Sequence, residues 1–360
     1  MIEVTLFGDV NVDALMSIPS YPSPGGDAMA QQVILRPGGS VANTAIVLAR
    51  LGVKTKMIAR VGDDRWADMA LEPLINLEVD VSAVQRDPTD STGLIFIPVT
   101  HEGERTMFSY RGANTRTPVE AITAQALGQP RFLHLSAYNF LTSPQREATW
   151  KAVELAKEAG IPISMDIGVE PSRRVTGDGD CGATLLALLP DLALVVLGRE
   201  EAQNLVGSSD PATACAALGQ TYGSTPARQG GGLGLIGLKL GKDGCFIASN
   251  TEQYFLPGFT VDTVDTTGAG DAFCAGMLFG RLAGISLPAS GLLANALGAL
   301  ATTVWGGGPV LPGKAEVTCF LQEEVCRKPG DGRKKRDSGQ SAEFLGWREE
   351  ILSALMVNGS

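Results

Sequence analysis

The chain has 360 residues, 44% of them hydrophobic and 19% charged, which is enough apolar sequence for a large folded core and excludes a disordered protein. Its formal net charge of −10 excludes the extended basic surface that neutralises nucleic-acid phosphates. No stretch approaches the roughly 20 apolar residues of a membrane span, so we expect neither nucleic acid nor a membrane as partner.

Strand-like and helix-like segments alternate along most of the chain. The N-terminal EVTLFG lacks a basic leader with a cleavage site and is typical of a first strand, which favours a cytoplasmic protein. Apolar runs such as RFLHLS, IPISMD and LALVVLG are separated by helical patterns such as REATWKAVELAKEAG. This alternation predicts βαβ units and an α/β fold with a mostly parallel sheet, which binds ligands at the carboxyl ends of its strands.

The first candidate binding segment is GDVNVDAL, residues 8–15, directly after the first strand. Asn11 and Asp13 alternate with valines, so an extended backbone would point both side chains the same way. An amide and a carboxylate on one side suit recognition of vicinal hydroxyl groups. A plain turn is equally compatible with this pattern.

Two segments interrupt the alternation, residues 12–37 and 92–112. Within them MAQQVILRPG, TGLIFIPVT and RTMFSYRG have the composition of strands separated by turns. We expect them to pair into a small β-sheet beside the main sheet, placed as a lid would be.

A glycine pair opens the next segment, RPGGSVANTAIVLARLG, residues 36–52. Gly38 and Gly39 precede an apolar helical run whose first turn carries Asn43. Asn43 either satisfies local backbone groups or bonds a ligand hydroxyl, with the glycines allowing close approach of the backbone.

The segment GLGLIG, residues 232–237, matches the GxGxxG pattern of dinucleotide folds. That pattern binds pyrophosphate only when it follows a strand and opens a helix. Here the apolar run continues as LKLGKDGCFIAS, which predicts a strand and a hairpin. We therefore expect no NAD site.

The segment DTTGAGDAFCAGM, residues 265–277, places Asp271 at the head of an apolar helical run. Helix starts expose unpaired N–H groups and attract anions, and the preceding small residues would let an anion come close. Asp271 is either a simple helix cap or a group that acts on the acceptor of a bound phosphate.

The last two segments are ANALGALATTVWGGGPVLP, residues 294–312, and a polar tail. Gly306–Gly308 either form a cap and turn or expose carbonyl groups to a cation. Residues 326–341 are rich in charge and predict an exposed linker, and AEFLGWREEILSALMV predicts a terminal helix of unknown role within residues 326–360.

Together PGGSVANTAIVLARLG and DTTGAGDAFCAGM resemble the N- and C-terminal signatures of the ribokinase-like (PfkB) carbohydrate and nucleoside kinases, over roughly residues 2–325. The resemblance implies one kinase domain, residues 1–325, with a Rossmann-like sheet flanked by helices and a β-sheet lid. In such kinases the lid often pairs with a second subunit, which implies a homodimer.

The resemblance also implies binding roles for individual residues. The sugar would meet Asn11, Asp13, Gly38, Gly39 and Asn43. The nucleotide, ATP, would lie near Gly241 and Asn295. Asp265 and Thr267 match positions that bind a monovalent cation such as potassium, with the glycine turn after Trp305 closing that site.

The implied mechanism answers why an acid stands at the helix start. The N–H groups of Gly268, Ala269, Gly270 and Asp271 would form an anion hole, and the Asp271 carboxylate would accept the proton of the attacking hydroxyl. Mg²⁺ bound to the phosphates would supply cationic charge. We expect the helix start to depress the pKa of Asp271, which phosphoryl transfer tolerates because it relies chiefly on positioning.

The chain departs from the family pattern at two places. The NxxE motif linked to magnesium and phosphate appears as GREE, with Gly198 in place of Asn and Glu201 retained. Lys239 stands where many members carry Thr before the nucleotide loop. We expect altered metal or nucleotide contacts without loss of catalysis.

The acceptor stays open at this stage. Tyr110 and Arg111 resemble a pair that binds a carboxylate in keto-deoxy-gluconate kinases, but MDIGVEPSRR lacks their DPNxR motif, so a neutral sugar or a nucleoside is favoured. The rival from another class is a non-catalytic sugar or nucleotide sensor, which the altered GREE favours and the complete GAGD opposes.

Overall fold

The computed structural model describes residues 1–101, 105–168, 181–222, 233–326 and 342–357. The strands, numbered in chain order, are β1 (Val4–Phe7), β2 (Asn11–Ile18), β3 (Gln32–Gly38), β4 (Thr55–Gly62), β5 (Asp80–Asp87), β6 (Gly93–Thr100), β7 (Phe108–Tyr110), β8 (Phe132–Ser136), β9 (Ile163–Asp166), β10 (Leu192–Gly198), β11 (Leu235–Lys239), β12 (Gly244–Ser249) and β13 (Gln253–Pro257). The α-helices are α1 (Ser40–Arg50), α2 (Arg65–Asn76), α3 (Ala124–Leu127), α4 (Gln145–Glu158), α5 (Cys181–Leu188), α6 (Arg199–Val206), α7 (Pro211–Tyr222), α8 (Ala269–Ala283), α9 (Leu287–Ala301), α10 (Lys314–Cys326) and α11 (Ala342–Val357).

The larger sheet has the strand order β13-β12-β11-β10-β9-β8-β1-β4-β5. Strands from β11 to β5 in this order pair in parallel, while β12 and β13 are antiparallel additions at one edge. The mostly parallel sheet expected from the alternation is therefore confirmed. Of GLGLIG, Gly232 lies outside the described residues, and residues 235–237 lie within β11, which continues into an antiparallel hairpin with β12, as the apolar continuation predicts.

Helices cover both faces of this sheet. One buried apolar cluster joins sheet side chains to α1, α2, α8 and α9, and a second joins the opposite face to α4, α5, α6 and α7. The arrangement is a three-layer α/β/α core, in which the central parallel strands are buried on both sides while the edge strand β5 is partly exposed. Its strand ends therefore meet along one rim of the sheet.

A separate four-stranded sheet, the small sheet, has the order β3-β2-β6-β7. It is built from the two segments that interrupt the βα alternation, so the expected second sheet is confirmed. Its alternating side chains divide into two faces. Asn11, Asp13 and Ile95 lie on one face, and Leu35, Phe96 and Phe108 lie on the other.

The C-terminal helix expected from the tail is present as α11. Ile351 and Leu355 are buried in the first apolar cluster. The Glu350 carboxylate accepts hydrogen bonds from the N–H and hydroxyl of Ser286, which precedes α9. Most of the predicted linker, residues 327–341, lies outside the described residues.

Candidate active site

A cavity of about 540 Å³ lies where the carboxyl ends of the parallel strands face the small sheet. Strand ends of β1, β8, β9 and β11, the starts of α1 and α8, and the inner face of the small sheet all contribute to its wall. Polar residues of the wall include Asp9, Asn11, Asp13, Ser40, Asn43, Arg105, Arg111, Asp166, Lys239, Thr267 and Asp271. Ligands bind at this rim in open α/β sheets.

Asp271 lies in the first turn of α8 and on the cavity wall. The residue before the helix, Gly268, has φ +78°, a left-handed conformation in which a side chain would be strained and would meet Leu311. Gly268 and Gly270 also line the cavity, whereas Ala269 does not. The N–H of Ala269 instead donates to the carbonyl of Thr266 at 3.3 Å.

Two side chains from α1 hold the Asp271 carboxylate. The Ser40 hydroxyl donates to Oδ1 at 2.7 Å, and Asn43 Nδ2 donates to Oδ2 at 2.7 Å. Asn43 Oδ1 accepts from the N–H of Gly308 at 2.9 Å, so this amide bridges the acid and the glycine turn. Asn43 is therefore a direct partner of Asp271 as well as a residue of the cavity wall.

The expectation that the helix start depresses the pKa of Asp271 is wrong. Removal from water and the negative charge of Asp166 raise the pKa of Asp271 to about 6. The hydrogen bonds from Asn43 and Ser40 act in the opposite direction but are outweighed. Asp271 is consequently a better proton acceptor near neutral pH than a surface aspartate.

Asn11 and Asp13 both point into the cavity from β2, as the alternation predicts. Asn11 Oδ1 accepts from Asn114 Nδ2 at 2.7 Å, which fixes the amide. Burial and the charges of Asp271 and Asp265 raise the pKa of Asp13 to about 7. Near neutral pH Asp13 thus exchanges between a hydrogen-bond donor and an acceptor, and both forms suit a hydroxyl group.

The glycine pair before α1 packs tightly under this end of the cavity. Gly39 has φ +102°, and a Cβ there would collide with the carbonyl oxygen of Asp9. A Cβ on Gly38 would collide with the Asp13 carboxylate. Of the two glycines, Gly39 lines the cavity and Gly38 supports Asp13 from behind.

Arg111 lies in the cavity wall, but its guanidinium is already engaged. Nε and Nη2 donate to the two oxygens of Asp9, both at 2.7 Å, and Nη2 also donates to Gln145 Oε1 at 2.6 Å. Nη1 is buried without a partner among the described residues. A bidentate pair of this kind neutralises the cation, so a substrate carboxylate would find its charge already balanced.

Tyr110 does not reach the cavity, which corrects its assignment to the substrate site. Its side chain is 48% exposed, on the outer face of the small sheet. Side chains alternate along β7, so Ser109 points into the cavity while Phe108 and Tyr110 point away.

Lys239, at the end of β11, reaches the cavity beside Asp271. Its Nζ donates to Asp166 Oδ1 at 2.8 Å, and the side chain is 19% exposed. The charge of Asp166 raises the pKa of Lys239 in spite of burial, so the ammonium stays charged.

Asp265 and Thr267 lie together next to the glycine turn. Asp265 Oδ1 accepts from the Thr267 N–H at 3.1 Å and hydroxyl at 3.0 Å, and Oδ2 accepts from the Gly306 N–H at 2.9 Å. Arg105, which lies between β6 and β7, donates to the Thr267 hydroxyl at 3.0 Å and lies 3.8 Å from Asp265 Oδ1. A guanidinium thus already faces the side-chain oxygens expected to hold a cation.

The remaining candidates for nucleotide and metal contacts lie outside the cavity wall. Asn295 is buried in α9 and donates to the carbonyls of Leu256 and Pro257 at 3.1 and 3.4 Å. Gly241 begins the turn between β11 and β12 with φ +61°. Glu201 lies in the first turn of α6, and its carboxylate fills the space that a side chain at position 198 would occupy.

Residues 1–313 match the family described as pfkB family carbohydrate kinase. The chain belongs to this family. Among curated relatives, it is 32% identical to a fructokinase from Klebsiella pneumoniae over 88% of this chain and 98% of the relative. It is 30% identical to an ATP-dependent ribose-1-phosphate kinase from Halopiger xanaduensis, over 90% and 99% of the two chains.

Solved structures confirm the ribokinase-like fold of this pfkB kinase. A putative ribokinase II from E. coli superposes with a TM-score of 0.79 at 24% identity, covering 90% of this chain and all of the other. A fructokinase double mutant from Vibrio cholerae O395, with bound fructose, ADP and potassium, gives a TM-score of 0.74 at 25% identity over 89% and 98%. The resemblance seen in the two signatures is confirmed, and the protein is a sugar kinase.

Sequence reasoning missed several residues that shape the site of this pfkB kinase. Ser40 directly follows the glycine pair, so its position at the helix start could have marked it as a partner of Asp271. Asp9, Asp166 and Arg105 carry no local signal, since each acts on a residue far along the chain.

Proposed function

We propose that this pfkB kinase transfers the γ-phosphoryl group of ATP to a hydroxyl of a neutral sugar, with Asp271 as the general base. The observation that carries the proposal is the position of the Asp271 carboxylate. Ser40 and Asn43 hold it directly after Gly268 and Gly270, which form the anion-binding turn, and it faces the same cavity as Asn11 and Asp13. Base, anion-binding turn and polar sugar-binding groups thus share one wall.

The step follows from this arrangement. The acceptor hydroxyl oxygen forms a bond to the γ-phosphorus while its proton passes to a carboxylate oxygen of Asp271. The bond from the γ-phosphorus to the bridging oxygen breaks, and ADP leaves with that oxygen. N–H groups of Gly268, Gly270 and Asp271 at the start of α8 stabilise the charge on the transferred group.

The charges at the sugar end favour an uncharged acceptor. Arg111 is neutralised by Asp9, and Asp13 adds a second carboxylate to the same wall. A sugar acid or sugar phosphate would therefore meet the ionised fraction of Asp13 beside an arginine that is already neutralised, whereas Arg111 Nη1 offers a buried donor to a hydroxyl. The fructokinase relatives support a neutral sugar, and a nucleoside is the alternative within the family.

The donor set suits Mg²⁺ that arrives with ATP as its complex. Among the described residues there is no group of three or more His, Cys, Asp or Glu side chains able to hold a metal. Magnesium in kinases is typically bound by one or two carboxylates together with phosphates and water. We assign Glu201 an indirect contact of this kind, with Gly241 and Asn295 near the rest of the nucleotide.

Potassium is a finer part of the proposal. The Asp265 carboxylate accepts three hydrogen bonds and faces Arg105, so its side-chain oxygens fit an added cation poorly. The Vibrio cholerae fructokinase was nevertheless solved with a bound potassium ion, which supports a monovalent cation in kinases of this fold. We therefore propose weak potassium activation in competition with the Arg105 guanidinium.

The small sheet has two faces that support a double role as lid and dimer contact. Its inner face lines the cavity through Ile95, Ile97 and Ser109. Its outer face leaves Phe96 and Phe108 exposed by 44% and 58%, side by side in the register of β6 and β7. Contiguous exposed apolar side chains mark interaction surfaces, and a second copy of this sheet is the partner we propose.

Among the described residues, no helix is long and apolar enough to cross a membrane. The boundary of the kinase domain at residue 325 and the cytoplasmic location stay predictions.

The function is tested by coupling ATP consumption to a panel of acceptors in the presence of Mg²⁺ and K⁺. The panel contains ribose, fructose, their phosphates, 2-keto-3-deoxygluconate, adenosine, inosine and cytidine. We expect one neutral sugar to exceed the background ATPase rate by at least about a hundredfold, the scale of one catalytic group. Preference for an acid or a phosphate would overturn the neutral-sugar assignment, and binding without turnover would favour the sensor.

A further inference from the structure

Lys239 is a cation at the end of the cavity where Asp166 and the start of α8 with Asp271 lie, the phosphoryl end. It is the last residue of β11, and its Nζ hydrogen bond to Asp166 holds the side chain over the start of α8. A Cβ built on Gly270 would lie 3.1 Å from this Nζ. The ammonium therefore occupies the space that a side chain at position 270 would fill, beside the turn whose N–H groups we propose as the phosphoryl-binding groups.

The cavity wall of the described residues carries three cations, and they differ in what they face. Arg111 is held by Asp9, and Arg105 contacts Thr267 beside Asp265. Lys239 is the one recorded beside Gly270, in the first turn of α8. An ammonium has three hydrogens, and the recorded contact with Asp166 Oδ1 uses one of them.

The phosphoryl end brings several negative charges together. Asp166 and Asp271 both line this end, and ATP adds further negative charge. Gly198 has replaced the amide of the NxxE motif, so α6 brings no polar side chain at that position. A fixed cation beside the turn offsets repulsion between the two carboxylates and the incoming phosphates.

We infer that Lys239 is a catalytic residue that contacts the γ-phosphoryl group of ATP and stabilises its charge during transfer. The inference rests on the proposed function. Lys239 donates a hydrogen bond to a nonbridging γ-oxygen and keeps its proton, since the proton of the acceptor passes to Asp271. As the bond to the bridging oxygen breaks, the ammonium offsets the negative charge spread over the transferred group.

The contrary interpretation is that Lys239 only neutralises the buried carboxylate of Asp166. The two interpretations differ in a variant that removes both charges. If the pair is only structural, Lys239→Met leaves Asp166 uncompensated, and Lys239→Met with Asp166→Asn relieves the defect. If Lys239 acts on the γ-phosphoryl group, the double variant folds stably but stays slow.

The experiment compares wild type, Asp166→Asn, Lys239→Met and the double variant. Turnover is measured with the acceptor that the panel identifies, affinities for ADP and the nonhydrolysable analogue AMP-PNP by calorimetry, and thermal midpoints by circular dichroism. We expect both Lys239 variants to lose about 10²–10³-fold in kcat, as when an oxyanion donor is removed. The ADP affinity of both Lys239 variants should stay within about threefold of wild type, since ADP lacks the group that Lys239 contacts. Their preference for AMP-PNP over ADP should fall by about tenfold, the value of one charged hydrogen bond.

Recovery of turnover in the double variant to that of Asp166→Asn would overturn the inference, as would an unchanged preference for AMP-PNP. The binding measurements need no acceptor. Absence of sugar phosphorylation by the wild type would therefore defeat the proposed function while the AMP-PNP preference still tests the contact of Lys239.

Discussion

The two ends of the cavity each contain a partly buried cation paired with a buried aspartate, but the pairs are built differently. At the sugar end, Arg111 makes two hydrogen bonds to Asp9 and one to Gln145. At the phosphoryl end, Lys239 is held to Asp166 at 2.8 Å through Nζ. A planar guanidinium matched to a carboxylate is a neutral, rigid unit, whereas an ammonium keeps hydrogens for a ligand. The first pair shapes the cavity, and the second supplies charge to it.

The largest expected effect belongs to the phosphoryl end. Asp271→Asn removes the proton acceptor but can keep its contacts with Ser40 and Asn43, so we expect kcat to fall by about 10²–10⁴-fold, the usual contribution of a general base. ADP affinity, measured by calorimetry, should stay within about threefold of wild type, because ADP binding involves no proton transfer to the base. Near-normal turnover would remove Asp271 from this role.

The same variant should be more stable than the wild type at alkaline pH. The native pKa of Asp271, about 6, lies above its ordinary value, so ionisation opposes folding. This cost is absent below about pH 4 and complete above about pH 6. Denaturant titration should show Asp271→Asn gaining about 1–3 kcal/mol in free energy of unfolding at pH 8 and nothing at pH 4. A loss of stability at pH 8 would contradict the pKa assignment.

At the sugar end we expect a smaller effect on catalysis and a larger one on stability. Arg111→Met leaves the Asp9 carboxylate buried and unpaired, which should cost about 3–5 kcal/mol in unfolding free energy. Loss of the Nη1 donor should raise the KM for the sugar by about tenfold, the value of one buried hydrogen bond, with kcat little changed.

The matched control is Arg111→Met combined with Asp9→Asn. Removing both charges should restore most of the stability, while the KM for the sugar stays high because the donor is still missing. If the double variant regains a normal KM, Arg111 serves only to neutralise Asp9, and the two ends of the cavity differ less than we propose.

The pH profile distinguishes the two ends through their acids. Asp271 must be ionised to accept a proton, so kcat/KM should fall on an acid limb below about pH 6. The Asp13 carboxyl, whose pKa is about 7, titrates nearby and is coupled to Asp271 by charge. The negative charge of Asp166 raises the pKa of Asp271, so Asp166→Asn should move this limb to lower pH. Asp13→Asn is the control that isolates Asp271. A limb unmoved by Asp166→Asn would contradict the coupling.

What could be predicted from the sequence was local. Three features depend only on residues within one turn or one strand, where periodicity and backbone conformation decide the outcome. They are the anion-binding turn before Asp271, the helix starts, and the shared face of Asn11 and Asp13. The α/β order and the small sheet followed from the same short-range patterns. Tyr110 was assigned to the site from the resemblance to keto-deoxy-gluconate kinases, and its strand of three residues is too short for periodicity to show that it faces outward.

The pairings could not be predicted, because they join distant parts of the chain. Arg111 and Asp9 are 102 residues apart, and Lys239 and Asp166 are 73 apart. The pKa of Asp271 was misjudged for the same reason. A helix start is a local feature that favours ionisation, but burial and Asp166 act through the tertiary structure and reverse the direction.

The smallest expected effect concerns the turn between the two ends, where Arg105 faces Asp265. Replacing potassium by tetramethylammonium at constant ionic strength should lower wild-type turnover by only about two- to threefold. The Arg105 guanidinium already supplies positive charge there, so the added ion contributes no more free energy than a surface ion pair does. Arg105→Gln keeps a donor for Thr267 but removes that charge, so its turnover should depend on potassium by about tenfold, as for loss of a charged hydrogen bond. Lithium serves as the control for a cation too small for such a turn. If the turnover of neither the wild type nor Arg105→Gln depends on potassium, Asp265 and Thr267 do not bind a cation. If the wild type alone needs potassium, the Arg105 guanidinium and the potassium ion act together at this site instead of competing for it.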